Sequence, residues 1–337
     1  MRRPRLATLL LALVACAQQT PQANVSPLVS PATPVAVACK LPIGIMGGVS
    51  GFMSYPDGAF TADPTSDLSH SAYHGSNASS IGFGPVFDRK HDRWLPVPRP
   101  LVAPDGATYV YAELVFPPPP SPQTGPIGPG GSRLHVVDVA SASDRVVLDT
   151  HEFWEALAYT GSRVFLSRPC IECGLGDRGL WTFDVATSEI RQLTAAADDG
   201  SSSWRLIATN AAWSADANGG LTRLDLKTGT QATWLLVPGK LLWPIGVDAA
   251  GSTIVEGEAD YNVPGATRGG AWLVRGPDDS VQIAPDSMLI DDAVGDGRGI
   301  WLLSLGTVYL WRAGHDLTQV GVIPPTTAAS SLGGPCR

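Results

Sequence analysis

Apolar residues along most of this chain come in short runs broken by Gly, Asp, Asn and Pro, and no long stretch keeps a helical period. Runs of this kind, bounded by turn residues, predict β-strands. The strands pair into hairpins of two kinds. In the first, an apolar strand enters a polar turn and a second strand leaves it, as in 133–149, 179–194, 220–236, 270–285 and 307–323, with an earlier copy, "GPVFDRKHDRWLPV", at 84–97. In the second, two strands flank a turn rich in Gly and Asp, as in 101–114, 156–169, 244–259 and 292–305. The segment 51–63 fits as the first of this second kind, and 205–219 as a degenerate copy.

One hairpin of each kind makes four strands, and six such units fill the chain from Cys39 to Cys336. Four-stranded units repeating at roughly 40–55 residues predict an all-β fold, a β-propeller of six blades, or seven if one unit divides differently. A blade cannot bury both faces alone, and packing face to face around an axis buries them. Ala103-Pro-Asp-Gly106 and Tyr55-Pro-Asp-Gly58 make the pattern more specific. They resemble the S-P-D-G turn of the WD40-like repeats in TolB-type propellers. Pro presets φ, Asp bonds nearby backbone, and Gly accepts a positive φ. Ser is replaced by Ala103 and Tyr55, and later units keep only Gly and Asp. The resemblance implies an architecture and transfers neither a partner nor an activity.

The N-terminus breaks this pattern. Met1-Arg-Arg-Pro-Arg5 precedes an apolar run, Leu6 to Ala15, that is too short to span a bilayer and suits a signal-peptide core. Leu13-Val-Ala-Cys16 resembles the bacterial lipobox, which implies cleavage before Cys16 and lipidation of its thiol. The same residues also fit cleavage after Ala17, which would release a soluble secreted protein. Residues 17–38, rich in Pro, Ser, Thr, Gln and Ala and free of charge, read as a flexible linker. The expected organisation is a signal peptide with lipobox at 1–16, this linker, and a propeller at 39–337. The chain would then be exported and held at the cell membrane by its lipid.

Composition agrees with a turn-dense globular body: 37 Gly, 29 Pro, 44% hydrophobic and only 16% charged residues. A net charge of −8 with no basic run excludes a nucleic-acid footprint. Besides Cys16 there are four cysteines, an even number suited to an oxidising compartment. Their placement favours Cys39 with Cys336, closing the ring, and Cys170 with Cys173 in a loop. The C-x-x-C at 170–173 lacks the βαβ context of a redox motif and two further zinc ligands.

Other candidates are weaker. His70 and His74 lie four apart, but in a Ser- and Gly-rich segment that reads as a loop bordering the axial opening, not as a metal site. Asp291-Asp292 with Asp296, and Asp198-Asp199, carry too few ligands for a cation cage and read as turn or edge residues. Asp278-Asp279 follows Pro277 and reads as a hairpin turn. Glu152, Trp154 and Glu155 have the residue types of glycoside chemistry, yet read as the entry to a blade. The Pro117–Pro120 run reads as a surface insertion. The ten tryptophans read as packing between blades. No catalytic residue, metal or cofactor is assigned. The expected function is binding or scaffolding of a protein, peptide or small ligand at the envelope. The alternative is an enzyme, such as a lyase, lactonase or glycan hydrolase, with an axial active site.

Overall fold

The computed structural model describes residues 38–68, 84–115, 130–169, 177–194, 202–216, 219–325 apart from 261, 262, 264 and 266, and 330–337. Residues Val37–Arg337 form one unit built from antiparallel sheets. Blade 3 comprises β9 (Glu155–Tyr159), β10 (Arg163–Pro169), β11 (Asp177–Asp184) and β12 (Ile190–Gln192), hydrogen-bonded in that order. Blade 4 holds β13 (Ser202–Ala208), β14 (Ala211–Asp216), β15 (Leu221–Asp225) and β16 (Gln231–Leu235). Blade 5 holds β17 (Lys240–Val247), β18 (Thr253–Ala259), β19 (Ala271–Gly276) and β20 (Asp279–Ala284). Blade 6 holds β21 (Asp292–Asp296), β22 (Gly299–Ser304), β23 (Thr307–Trp311) and β24 (Thr318–Val322). Blade 2 has β6 (Thr108–Val115), β7 (Gly131–Asp138) and β8 (Asp144–Thr150), with Val102 bridging Tyr109 where a first strand belongs.

The five segments 101–114 with 133–149, 156–169 with 179–194, 205–219 with 220–236, 244–259 with 270–285, and 292–305 with 307–323 therefore form blades 2 to 6 as expected. The first blade does not follow the expectation. Segments 51–63 and 84–97 lie in different sheets. Blade 1 is β25 (Ser330–Leu332), β1 (Cys39–Ile45), β2 (Gly51–Tyr55) and β3 (Phe60–Ala62). Its innermost strand comes from the far end of the chain, so 51–63 is an outer hairpin. Residues 84–97 contribute a separate two-stranded sheet of β4 (Val86–Asp88) and β5 (Arg93–Leu95). In its register Val86 faces Leu95 and Phe87 faces Trp94. The alternation sends Phe87 and Trp94 toward Phe52 of blade 1, and Val86 and Leu95 toward the core of blades 2 and 3. The hairpin is a wedge between blades 1 and 2.

First strands neighbour one another in succession, β9 with β13, β13 with β17, β17 with β21 and β21 with β25, and they surround the axis. Separate apolar clusters fill the seams between blades 3 and 4, 4 and 5, 5 and 6, and 6 and 1. The fold is thus a β-propeller closed by pairing β25 with β1 (Ile43 opposite Leu332, Gly44 opposite Ser331). Beyond β25, Arg337 exchanges backbone hydrogen bonds with Lys40. A disulfide joins Cys39 to Cys336, Cα atoms 5.7 Å apart, as expected.

Antiparallel strands sort the turns. First-to-second and third-to-fourth turns leave at one end of the ring, here called lower. Second-to-third turns and blade-to-blade connections leave at the other, upper end. The recurrent Asp turns all lie at the lower end. Asp184 Oδ1 accepts the N–H groups of Ala186 and Thr187, and Asp225 Oδ1 those of Lys227 and Thr228. In the Ala103–Gly106 turn, Gly106 has φ 69° and Asp105 accepts the N–H of Ala107. A side chain bonding backbone two residues ahead is the Asx geometry that makes Asp valuable there. The backbone N–H donors of Ser141, Thr187 and Thr228 hold the Asp138, Asp184 and Asp225 carboxyls below their ordinary value.

Candidate functional site

A cavity of about 130 Å³ lies on the axis. Its walls come from the innermost segments of nearly every unit: Arg99 of the Arg99–Leu101 turn in blade 2, Arg205 on β13, Trp243 on β17, Asp292 at the start of β21, Ser331 on β25, and Pro85 beside the hairpin. Glu256 on β18 and Asp291 complete it. Glu256, Asp291, Asp292 and Ser331 also border a second cavity of about 600 Å³, formed at the upper end by Arg268, Leu305, Val322 and Pro324 among others. Arg99 also borders a depression at the lower end, beside Asp88, Gly106 and Pro335. The upper mouth adjoins the axial cavity through the residues they share, and the lower depression, between the hairpin and blade 2, meets the cavity at Val86 and Arg99.

Asp292 is buried, and its Oδ1 and Oδ2 accept the N–H groups of Ala293 and Leu332, both at 2.7 Å. Burial pushes its carboxyl up to about 6, against the pull of Arg99 and these two donors. Glu256 is pushed up to about 7, first by burial and then by Glu258 and Asp291, while Arg268 and Arg205 oppose the rise. Burial also lowers the Arg99 guanidinium from its ordinary value, with Asp292 opposing. The Arg205 guanidinium lies over the Trp243 ring, 4.0 Å from its centre, a cation–π contact. Trp243 Nε1 donates to Glu258 at 3.0 Å.

The mouth has an apolar rim. Leu305 and Gly306 make the tight turn between β22 and β23, with φ 47° and 77°. Leu in a left-handed turn position is unfavourable, yet Leu305 is 73% exposed, as is Val322 at 54%. Asp291 Oδ2 accepts the Leu305 N–H at 2.7 Å, which ties the rim to the acidic neck.

The sequence candidates are dispersed. Cys16, His70, His74, Cys170, Cys173, Asp198, Asp199 and Pro117–Pro120 lie outside the described residues. Glu152 is paired with Arg168, Glu155 accepts from Ser167, and Trp154 packs edge-on against Trp181. None of the three lines the axial cavity. Asp278 sits in the β19–β20 turn, as expected. Asp291 and Asp292 require a correction. Asp292 opens β21, the edge strand of blade 6, but it is buried, because its carboxylate is bonded by Leu332 of the closing strand β25. Among the described residues no group of three or more His, Cys, Asp or Glu gathers to hold a metal ion. Most tryptophans pack in the core, and Trp243 also forms a wall of the cavity. Arg99, Arg205 and Glu256 were not singled out from the sequence. Arg205 alone had a signal, a lone charge within the apolar strand pattern "WRLIA", while Glu256 shares its strand with Glu258 and Arg99 lies between two prolines.

No protein-family model matches the chain, and no curated protein matches it. Solved structures do. TolB from Acinetobacter baumannii matches over 84% of this chain and 66% of its own, at 11% identity and a TM-score of 0.39. The β-propeller domain of the Trilobed protease from Pyrococcus furiosus, reported to have an open velcro topology, matches over 68% of this chain and 71% of its own, at 10% identity and 0.41. A prolyl endopeptidase matches over 87% of this chain and 43% of its own, at 12% identity and 0.49. The chain spans just under two thirds of TolB and less than half of the prolyl endopeptidase. The propeller assignment rests on the order and closure of the sheets themselves.

Proposed function

We propose that this protein is a binding propeller of the bacterial cell envelope, tethered through a lipid on Cys16, that holds a protein, peptide or small-ligand partner at the upper mouth of its axial cavity. One observation carries the reading: exposed apolar Leu305 and Val322 rim a mouth that narrows onto Glu256, Asp291 and Asp292. An exposed apolar rim is a feature of recognition surfaces, and strain in a residue such as Leu305 is retained where it serves a function. The lipobox supports the tether, and a mass measurement of the mature N-terminus tests it. A diacylglyceryl adduct on Cys16 supports anchoring, and a chain beginning at Gln18 replaces it with secretion.

Binding is tested by a thermal-shift screen of small charged ligands and short peptides. A ligand at a hundredfold excess over its Kd adds about 2.7 kcal/mol of stability. Hits should lose their effect in Leu305→Asn or Glu256→Gln, and hits indifferent to both changes would overturn the location. The enzyme reading draws on one observation, that Glu256 lines the cavity, where burial pushes its carboxyl up to about 7, the setting in which general acids and bases are tuned. Turnover of a bound hit, lost in Glu256→Gln, would support it.

A further inference from the structure

The axial cavity is polarised along its length. Arg205 borders it but not the mouth, and Arg99 borders it and the lower depression. Glu256, Asp291 and Asp292 all stand on the mouthward side, with Arg268 as the cation among them. We infer that the cavity is a receptor for a small zwitterion, entered carboxylate first, with the carboxylate on the guanidinium of Arg99 and the ammonium left between Glu256 and Asp291. This deepens the proposed axial binding and rests on it.

Three observations carry the inference. Arg99 Nη1 is buried, and among the described residues it has no hydrogen-bond partner. Guanidinium groups offer five donors and match a carboxylate in a two-point fork, and a buried donor left unmade calls for an acceptor. Asp292, whose charge acts on Arg99, bonds the N–H groups of Ala293 and Leu332 and leaves Arg99 Nη1 without a bond. A ligand carboxylate would supply the acceptor. At the mouthward side the imbalance has the opposite sign. Burial and the carboxylates of Glu258 and Asp291 raise Glu256, with only Arg268 and Arg205 against them, so an ammonium there relieves crowded negative charge. Size fits as well. A cavity of about 150 Å³ holds benzene, which has as many non-hydrogen atoms as alanine, and this one measures about 130 Å³.

The test is calorimetric titration of the mature chain at pH 7.5 with four probes: L-alanine, 4-aminobutanoate, acetate and methylammonium. At least one zwitterion should bind tenfold or more tightly than both half-ligands. In Arg99→Lys, which keeps the charge and loses the fork, that zwitterion and acetate should weaken together by about tenfold. In the isosteric Glu256→Gln, acetate should bind as before while the zwitterion falls to its level. If Arg99→Lys does not fold, the Glu256→Gln pair of titrations decides alone. Acetate binding as tightly as both zwitterions would overturn the inference and leave axial binding standing. No binding by any probe, with screen hits that depend on Glu256, would also overturn the inference alone. No binding and no such hits would overturn both readings.

Discussion

Blade 1 faces blade 6 through Leu41, Ile43, Met53, Trp301, Leu303, Val308 and Leu310, all closed to solvent, and faces the β4/β5 hairpin through three rings, Phe52, Phe87 and Trp94. The first seam is a deep apolar core with Cys39 and Cys336 at its edge, where the Arg312 guanidinium also stands 5.8 Å from the centre of the Tyr55 ring. The second is thin and has a charge in it. The Arg337 guanidinium lies 4.1 Å from the centre of Phe52 and 4.3 Å from that of Phe87, and pairs with Asp92 at 3.2 Å. The same eight residues, 330–337, serve both. Leu332 and Cys336 point into the first seam and Arg337 into the second. Apolar burial scales with area. A two-stranded wedge offers little area, so cation–π and ion-pair contacts complete what its rings cannot. The difference is one of proportion: both seams carry a cation over a ring, and the thin one has little apolar area besides.

The largest effect should come from Trp301→Ala. Trp301 is fully buried in the blade 6 seam, with Nε1 donating to Asp296 at 2.8 Å, and truncation of such a residue costs about 3–5 kcal/mol. Urea unfolding reads it directly, and a loss below that of any hairpin-seam variant would break the comparison. The double change Cys39→Ser, Cys336→Ser should lose about 2–5 kcal/mol, below the loop-closure ceiling of about 6 for such a span. Stability that survives reduction unchanged would remove the bond from the account.

The seams should also respond to pH in opposite directions. At the blade 6 seam, Asp292 is raised to about 6 by burial, so between pH 4 and 6 the folded chain holds a proton that the unfolded chain has released. Stability therefore falls as pH rises through that window, by on the order of 1–3 kcal/mol, and Asp292→Asn should flatten that slope. At the hairpin seam, burial raises Asp63, but the hydroxyl and N–H of Thr65, the Trp94 indole and Arg337 outweigh it and leave its carboxyl low. That contribution is present at neutral pH and fades as pH falls below the unfolded carboxyl range, and Asp63→Asn should remove the acid loss. Melting temperature against pH for both variants checks the signs, and slopes of the same sign would refute the contrast. The smallest effect belongs to Arg337→Ala, about 1–2 kcal/mol for a partly exposed cation on two rings. A loss equal to that of Trp301→Ala would show the thin seam to be the stronger.

Blades 2 to 6 were legible because each hairpin repeats its period-two pattern beside an Asp or Gly turn whose chemistry is local. Blade 1 was not. Its closing strand is Ser330-Ser331-Leu332, three residues with no period to read, and residues 84–97 carry the pattern of an outer hairpin wherever they pack. The Cys39–Cys336 pairing was readable because its two halves bracket every repeat. The axial site was hidden for a different reason. Arg99, Arg205, Glu256 and Asp292 are scattered through the chain and meet only once the ring is wound. Asp291-Asp292 beside a Gly-rich segment looks like any turn. The strand that buries Asp292 comes from 40 residues further on.

The position of β25 sets an order of events. A ribosome that has delivered residues 39–329 has delivered the three other strands of blade 1 and all the other blades, yet the gap beside β1 stays open and Asp292 stays wet. Domains tend to settle from their N-terminal side during synthesis, and this one cannot finish that way. Until the last strand arrives, the pairing that closes the ring cannot form.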